Sequence, residues 1–144
     1  MNNSKDALVN YYVAISNSDL EEISTCFDLP AKLISLYGVV DVLSKKDIIT
    51  TYDNIIKTWN NQGISNKIGY DADKFEITHV QNNIDLIQTE LKNYDFNGSF
   101  IQNWRSIYIL RLVNTRWVIS LATSDNKRSS SIKKNCTWHY GITS

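Results

Sequence analysis

The stretch beginning at Ile84 most constrains how this chain can fold. It reads as three antiparallel strands, Ile84–Tyr94, Phe100–Val113 and Arg116–Ser124, joined by two turns. The first turn, Phe96-Asn97-Gly98-Ser99, carries Asn-Gly, the dipeptide that best tolerates positive φ and closes hairpins. Asn114-Thr115 closes the second. Phe100–Val113 is long for a strand, so the sheet is expected to be long, twisted and curved.

Upstream, the spacing of apolar residues predicts helices. Ser4-Lys5-Asp6 offers an N-cap, followed by Leu8, Tyr11, Tyr12 and Ile15 at helical spacing. Ser16-Asn17-Ser18 stops that helix. Ser18 or Asp19 caps a short second one, with Leu20, Ile23 and Phe27 as its stripe, and Pro30 is expected to end it. Ala31–Tyr37 reads as a strand, Gly38 as a turn and Val39–Leu43 as its partner. Ser44-Lys45-Lys46-Asp47 opens a third helix with the stripe Ile48, Tyr52, Ile55, Ile56 and Trp59, and Gly63 stands where a C-cap belongs. A further strand is expected within Asn66–Val80, with Phe75, Ile77 and His79 on one face. The expected organisation is one α+β domain over residues 1–124 and a basic, aromatic tail over 125–144 that ends in Trp138, His139, Tyr140 and Ile142.

Charge and motif content exclude several function classes. Fifteen Lys and Arg balance fifteen Asp and Glu, so the domain lacks the basic excess of a nucleic-acid binder. No run approaches membrane-spanning length and Met1–Asp6 lacks a signal-peptide core, so a cytoplasmic address is expected. Cys26 and Cys136 fit no metal-ligand spacing, and His79 and His139 share no i,i+4 spacing, so neither a metal site nor a cofactor is expected. Cys26 beside Phe27 reads as a small buried hydrophobe. No Ser-His-Asp pattern, phosphate-binding glycine loop or HExxH motif is present.

The order of elements resembles one fold family. The residues that carry the resemblance are Tyr12 to Ile23, the Leu36-Tyr37-Gly38 turn, Lys46-Asp47-Ile48 opening the long helix, and Thr115-Arg116-Trp117-Val118-Ile119 in the last strand. Together they resemble the cone-shaped α+β superfamily of nuclear transport factor two (NTF2), ketosteroid isomerase and the SnoaL-like cyclases. The resemblance implies a curved sheet wrapped around the helices, with a pocket inside the cone. It also implies dimerisation through the convex sheet face.

Strand alternation then selects the side chains facing that pocket. Gln102, Trp104, Ser106, Tyr108, Leu110 and Leu112 share one face and should point inward, because Arg105 and Arg111 sit on the other. On the last strand the larger apolar set, Trp117, Ile119, Leu121 and Thr123, should point inward. Both faces of Ile84–Tyr94 are mixed. There the family register places Ile84, Leu86, Gln88 and Glu90 inside. Ile107 and Ile109, flanked by Arg105 and Arg111 on the outward face, suggest a homodimer surface; the alternative is cover by the tail or a neighbouring strand.

Ketosteroid isomerase holds an oxyanion with a helix tyrosine and a protonated strand aspartate, and uses a carboxylate base. The resemblance places the first on Tyr12, the second on Tyr108 and the base on Ser35, which cannot act as one. Glu90 is the remaining carboxylate expected inside the cone. Tyr12 and Tyr108 either polarise a ligand carbonyl or are core aromatics bonded to backbone or water. The ligand-binding wall is expected to include Ser35, Tyr52, Trp59, Gln88, Gln102, Trp104, Ser106 and Trp117. Two function classes follow. One is a small-molecule site for an apolar carbonyl ligand, with metal-free acid/base chemistry of the lyase, isomerase or cyclase kind. The other is a non-catalytic dimerisation or protein-interaction module in which aromatic residues simply fill the cone.

Overall fold

The computed structural model describes residues 3–35 and 38–124. Its α-helices and strands follow the order α1 (Ser4–Ser16), α2 (Leu20–Thr25), β1 (Phe27–Ser35), β2 (Gly38–Val42), α3 (Lys45–Asn61), β3 (Glu76–Gln81), β4 (Ile84–Tyr94), β5 (Phe100–Val113) and β6 (Arg116–Ser124). The strands form a single curved sheet in the order β2-β1-β6-β5-β4-β3, antiparallel throughout except for the parallel pair β1–β6. This is the expected α+β architecture. The expected tail and the Leu36-Tyr37 part of the first turn lie outside the described residues.

Local chemistry places the helices. The Asn3 side chain accepts from the Asp6 N–H at 2.8 Å, so α1 is capped one residue before the predicted Ser4. Asp19 caps α2 by accepting from Glu22 N–H. Ser44 Oγ accepts from Asp47 N–H while the Asp47 carboxylate accepts from Leu43 N–H, a reciprocal cap that starts α3. Gly63, at φ +79°, follows the C-cap of α3, where a left-handed residue releases the chain from the helix. The predicted α3 stripe, Ile48, Tyr52, Ile55, Ile56 and Trp59, is buried throughout. With Leu8, Tyr11, Tyr12 and Ile15 of α1 it packs on one sheet face, against Leu33, Ile87, Leu91, Trp104, Tyr108, Leu110 and Ile119. Each such side chain contributes about 1.5–3 kcal/mol by leaving water.

Three expectations about the sheet need correction. Pro30 does not end a helix. α2 closes at Thr25, and β1 starts at Phe27 and runs through Pro30 to Ser35. Pro30 falls where the β1–β6 pairing slips between Phe27 and Lys32, a place that needs no ladder N–H.

On β4 the odd positions face inward: Asp85, Ile87, Thr89, Leu91 and Asn93 are buried, whereas Glu90 is exposed and Ile84, Leu86 and Gln88 are half-buried. Directly opposed residues share a face. Ile87 lies opposite Tyr108 and Leu91 opposite Trp104, so the inward set of β5 forces the odd set of β4 inward.

On β6 a bulge changes the parity. Ile119 opposes Leu110, but beyond the slip Ala122 opposes Tyr108. Ile119, Ala122 and Ser124 are therefore buried, and Leu121 and Thr123 turn to the outer face.

Candidate functional site

The interior of the cone is built around four fully buried tyrosines. Tyr11 and Tyr12 come from α1, Tyr52 from α3 and Tyr108 from β5. Their hydroxyls pair across elements. Tyr11 and Tyr52 meet at 2.6 Å, and Tyr12 donates to Tyr108 at 2.9 Å. Tyr11 packs near-perpendicular to Tyr52 and Tyr108, and Tyr12 to Tyr108, with centroids about 6 Å apart. Tyr70 covers Tyr12 from the irregular segment before β3, at a centroid distance of 5.1 Å. Tyr11, Tyr12, Tyr52 and Tyr108, with Ile15, Ile55, Trp59, Ile68 and Trp104, leave a void of about 10 Å³.

Burial sets the proton affinity of the phenols. Desolvation pushes Tyr108 up to about 12, partly offset by the hydroxyls of Tyr12 and Ser106. It holds Tyr11, Tyr12 and Tyr52 well above the ordinary tyrosine value, and the neighbouring phenols add to the effect on Tyr11 and Tyr12. All four are neutral donors and acceptors at physiological pH. Cys26 is buried as expected, and burial, reinforced by Glu22, raises its thiol to about 12, so it carries no thiolate.

Several expected site residues do meet at this place. Tyr12, Tyr52, Trp59, Trp104 and Tyr108 all line the void. Ser106 and Gln102 lie on the same inner face of β5; Gln102 donates to Asn93 Oδ1 at 3.2 Å. Four polar atoms here are buried without a hydrogen-bond partner among the described residues: Gln102 Oε1, Asn93 Nδ2, Trp104 Nε1 and Ser106 Oγ. Trp117 packs against the core edge opposite Leu112 and does not line the void. Ser35, half-buried, pairs with Gly38 and Ser124 at the end of β1 and also does not line it.

Two placements are overturned. Glu90 and Gln88 face outward, because β4 takes the parity that its pairing with β5 requires. The Glu90 carboxylate accepts from Asn103 at 3.4 Å on the outer face. With Gln88, Lys92, Arg105, Lys74 and Glu76 it borders a polar cavity of about 460 Å³ at the β3–β4 edge.

The carboxylate that does face inward is Asp85, on the β4 face opposite the one the family register placed inside. It accepts from Ser4 Oγ at 2.6 Å and pairs with His79 Nδ1 at 2.6 Å. Asp85 ties the N-terminus of α1 to the sheet, where the helix dipole favours a negative charge. Serine, aspartate and histidine touch here, but Asp85 sits between the other two, so no base contacts the serine hydroxyl. The sequence signal for Asp85 was the hairpin register, which fixes β4 parity once β5 is oriented.

The outer face carries two cross-strand rows. Asp41, Lys32, Leu121, Ile109 and Leu86 are successive partners in one; in the other Val39 pairs with Ile34 and Ile34 with Thr123, whose Oγ1 accepts from the N–H of Ile107, the partner of Gln88. Ile107 is 39% and Val39 58% exposed, and Ile109 is half-buried. Arg105 and Arg111 are exposed as expected. Arg111 donates from Nε to Asp28 Oδ2 at 2.7 Å, and Ser120 Oγ, at the β6 bulge, donates to the same oxygen at 2.9 Å. Among the described residues no group of three or more His, Cys, Asp or Glu side chains could hold a metal, and no helix is long and apolar enough to cross a membrane.

No protein-family model matches the chain, and no curated protein matches it. Solved structures do. A Nostoc punctiforme protein of unknown function with a cystatin-like fold matches at a TM-score of 0.68 and 11% identity, over 83% of this chain and 85% of its own. A ketosteroid isomerase-like protein from Erwinia carotovora atroseptica matches at 0.64 and 12%, over 85% and 92%. An NTF2-like protein of unknown function from Shewanella oneidensis matches at 0.65 and 14%, over 84% and 94%. This is the NTF2-like cone fold. At such identities the likeness is one of fold, and the cone-fold residues found here must speak for their own chemistry. The Tyr12–Tyr108 hydroxyl pair offers donors within the cone, and burial keeps Tyr108 protonated near neutral pH.

Proposed function

We propose that this chain is a non-catalytic cone-fold module whose interior is structural core and whose outer sheet face pairs two copies. One observation carries the reading: the interior void is about 10 Å³. A water molecule needs about that much, and small-molecule sites run to about 300–1,000 Å³. The four tyrosines use their hydroxyls on one another, so these phenols are already spent on packing. The outer rows support the second half of the reading. Ile107, Ile109, Leu121 and Ile34 form an apolar patch rimmed by Arg105, Lys32 and Asp41, the pattern of an apolar interface core inside a polar rim. The test is an Ile107→Glu/Ile109→Glu double variant, measured by light scattering beside the parent. A dimeric parent and a folded, monomeric variant are expected. A parent that is monomeric at all concentrations, or a variant that stays dimeric, ends the reading.

A second reading rests on the unpaired Gln102 Oε1, Asn93 Nδ2 and Trp104 Nε1. Buried polar atoms are normally satisfied, so these three favour a polar guest at the hairpin end of the cone. In this reading an apolar carbonyl compound enters by displacing side chains such as Ile68, and Tyr12 and Tyr108 receive its oxygen. Titration with a planar phenolate, followed by Trp104 fluorescence, separates the two. Saturable quenching that is lost in Tyr12→Phe/Tyr108→Phe supports the guest; quenching that is absent, or that survives in that variant, leaves the core reading.

A further inference from the structure

β5 outruns its neighbour β6. It starts at Phe100, yet its last described pair with β6 is Tyr108–Ala122. One residue beyond that pair, the Ile107 N–H donates to Thr123 Oγ1 at 2.9 Å, so the backbone groups of Ile107 point toward β6. Backbone groups of alternate residues along a strand point to the same neighbour, and those of Arg105 therefore point there too. β6 ends at Ser124, which in the same register stands opposite Ser106, and the described strand partner of Arg105 is Glu90 of β4. From Ser106 to Phe100, about 20 Å of strand, this edge of β5 faces no described strand.

Unmet groups mark both faces of that edge. On the inner face Ser124 Oγ, Ser106 Oγ, Trp104 Nε1 and Gln102 Oε1 are buried without a hydrogen-bond partner among the described residues. Native proteins seldom leave such atoms unpaired. On the outer face Arg105 is exposed and enters no ion pair among the described residues. The chain continues directly from Ser124 as Asp125-Asn126-Lys127-Arg128-Ser129-Ser130. Carried on in the β6 register, Asp125 falls opposite Arg105, Asn126 opposite Trp104 and Arg128 opposite Gln102. Asp125 brings a carboxylate to the Arg105 guanidinium. Asn126 brings an acceptor for Trp104 Nε1, and Arg128 brings donors for Gln102 Oε1.

We propose that residues 125–130 dock on this open edge of β5 in their own chain, as an extended strand antiparallel to β5 with Asp125 paired to Arg105. The backbone groups of Arg105 supply the rungs, and the charge and amide matches set the register. The docked strand covers the hairpin end of the inner sheet face with polar groups of the chain itself. It goes beyond both function readings above and depends on neither.

The test uses the full chain carrying Cys136→Ser, which leaves the buried Cys26 as the one native thiol. Arg105→Cys/Asp125→Cys then puts two thiols on directly opposed residues, about 5.5 Å apart at Cα and within disulfide reach. Arg105→Cys/Ser129→Cys places the second thiol four residues further along, about 13 Å away. On mild oxidation the first pair should close within one chain at least about tenfold faster than the second, read by mass spectrometry. Hydrogen exchange in the parent chain, followed by nuclear magnetic resonance, gives a second measurement. The Arg105 amide should be protected there, and should exchange about tenfold faster in Lys127→Pro, which removes the donor of the next rung. The Tyr108 amide points to β4 and should not respond. Equal closure of the two cysteine pairs, disulfides that form only between chains, or an unprotected Arg105 amide in the parent would overturn the docked strand.

Discussion

The inner and outer faces of the β4–β5–β6 sheet are made by alternate residues of the same strands, yet they solve opposite problems. Inside, Ile87, Leu91, Trp104, Tyr108 and Leu110 meet the helices, and the space between is closed to about 10 Å³. Outside, Ile107, Ile109, Leu121 and Leu86 stand beside Arg105, Lys32 and Glu90, and a cavity of about 460 Å³ opens at the edge. A cone fold does not by itself imply an internal pocket. Aromatic residues can fill it, and the polar groups available for recognition then lie on the convex side. Each prediction below breaks or sharpens that contrast.

The largest effect is expected inside. Tyr108→Ala removes a fully buried ring and leaves Tyr12 without its hydroxyl partner. A loss of about 3–5 kcal/mol is expected in urea unfolding, with a cavity large enough to admit a small aromatic compound. A loss well below that would mean the interior is not tightly packed.

Alkaline pH should act on the same rings. The folded-state values of Tyr11, Tyr12, Tyr52 and Tyr108 lie above the ordinary 10, so above pH 10 the unfolded chain loses protons that the folded chain keeps. Stability from this source is complete below pH 10 and falls as pH rises through the folded values, about 12 for Tyr108. The slope is about 1.4 kcal/mol per pH unit for each phenol that ionises only on unfolding. Ultraviolet titration should show four of the eight tyrosines resisting ionisation at pH 10.5 until the protein unfolds. Early ionisation of all of them would mean an open, wet cone.

Tyr12→Phe separates hydrogen bonding from packing in the interior. It keeps the ring and removes only the donor to Tyr108, so about 1–2 kcal/mol should be lost by thermal unfolding. The outer face should give the smallest response. Glu90→Gln changes an exposed carboxylate and should move stability by less than about 0.5 kcal/mol. A large loss would return Glu90 to the inside of the cone.

Much of the fold is legible along the chain. The three strands from Ile84 onward have the predicted bounds, because Asn97-Gly98 and Asn114-Thr115 mark turns in their own residues and need no distant partner. The α3 stripe is legible for the same reason, since a helix repeats its apolar face locally. The family likeness placed Tyr12 and Tyr108 in one site, each on a ligand carbonyl or on backbone or water; that their hydroxyls bond each other was not legible in the sequence. The facing of β4 was misread because both its faces are mixed, and a strand with mixed faces takes its parity from its neighbour.

What the sequence by itself determined, then, is the order of elements, their bounds from β4 onward and the inward face of β5. Those depend on turn chemistry, capping and periodicity, all of them local. Only the tertiary structure decided that Asp85 rather than Glu90 is the buried carboxylate, that a bulge at Ser120 reverses β6, and that four phenols close the cone. Each depends on which residue stands opposite which across a ladder or a helix–sheet contact. That is set by the packing of the whole, where a one-residue slip exchanges inside for outside.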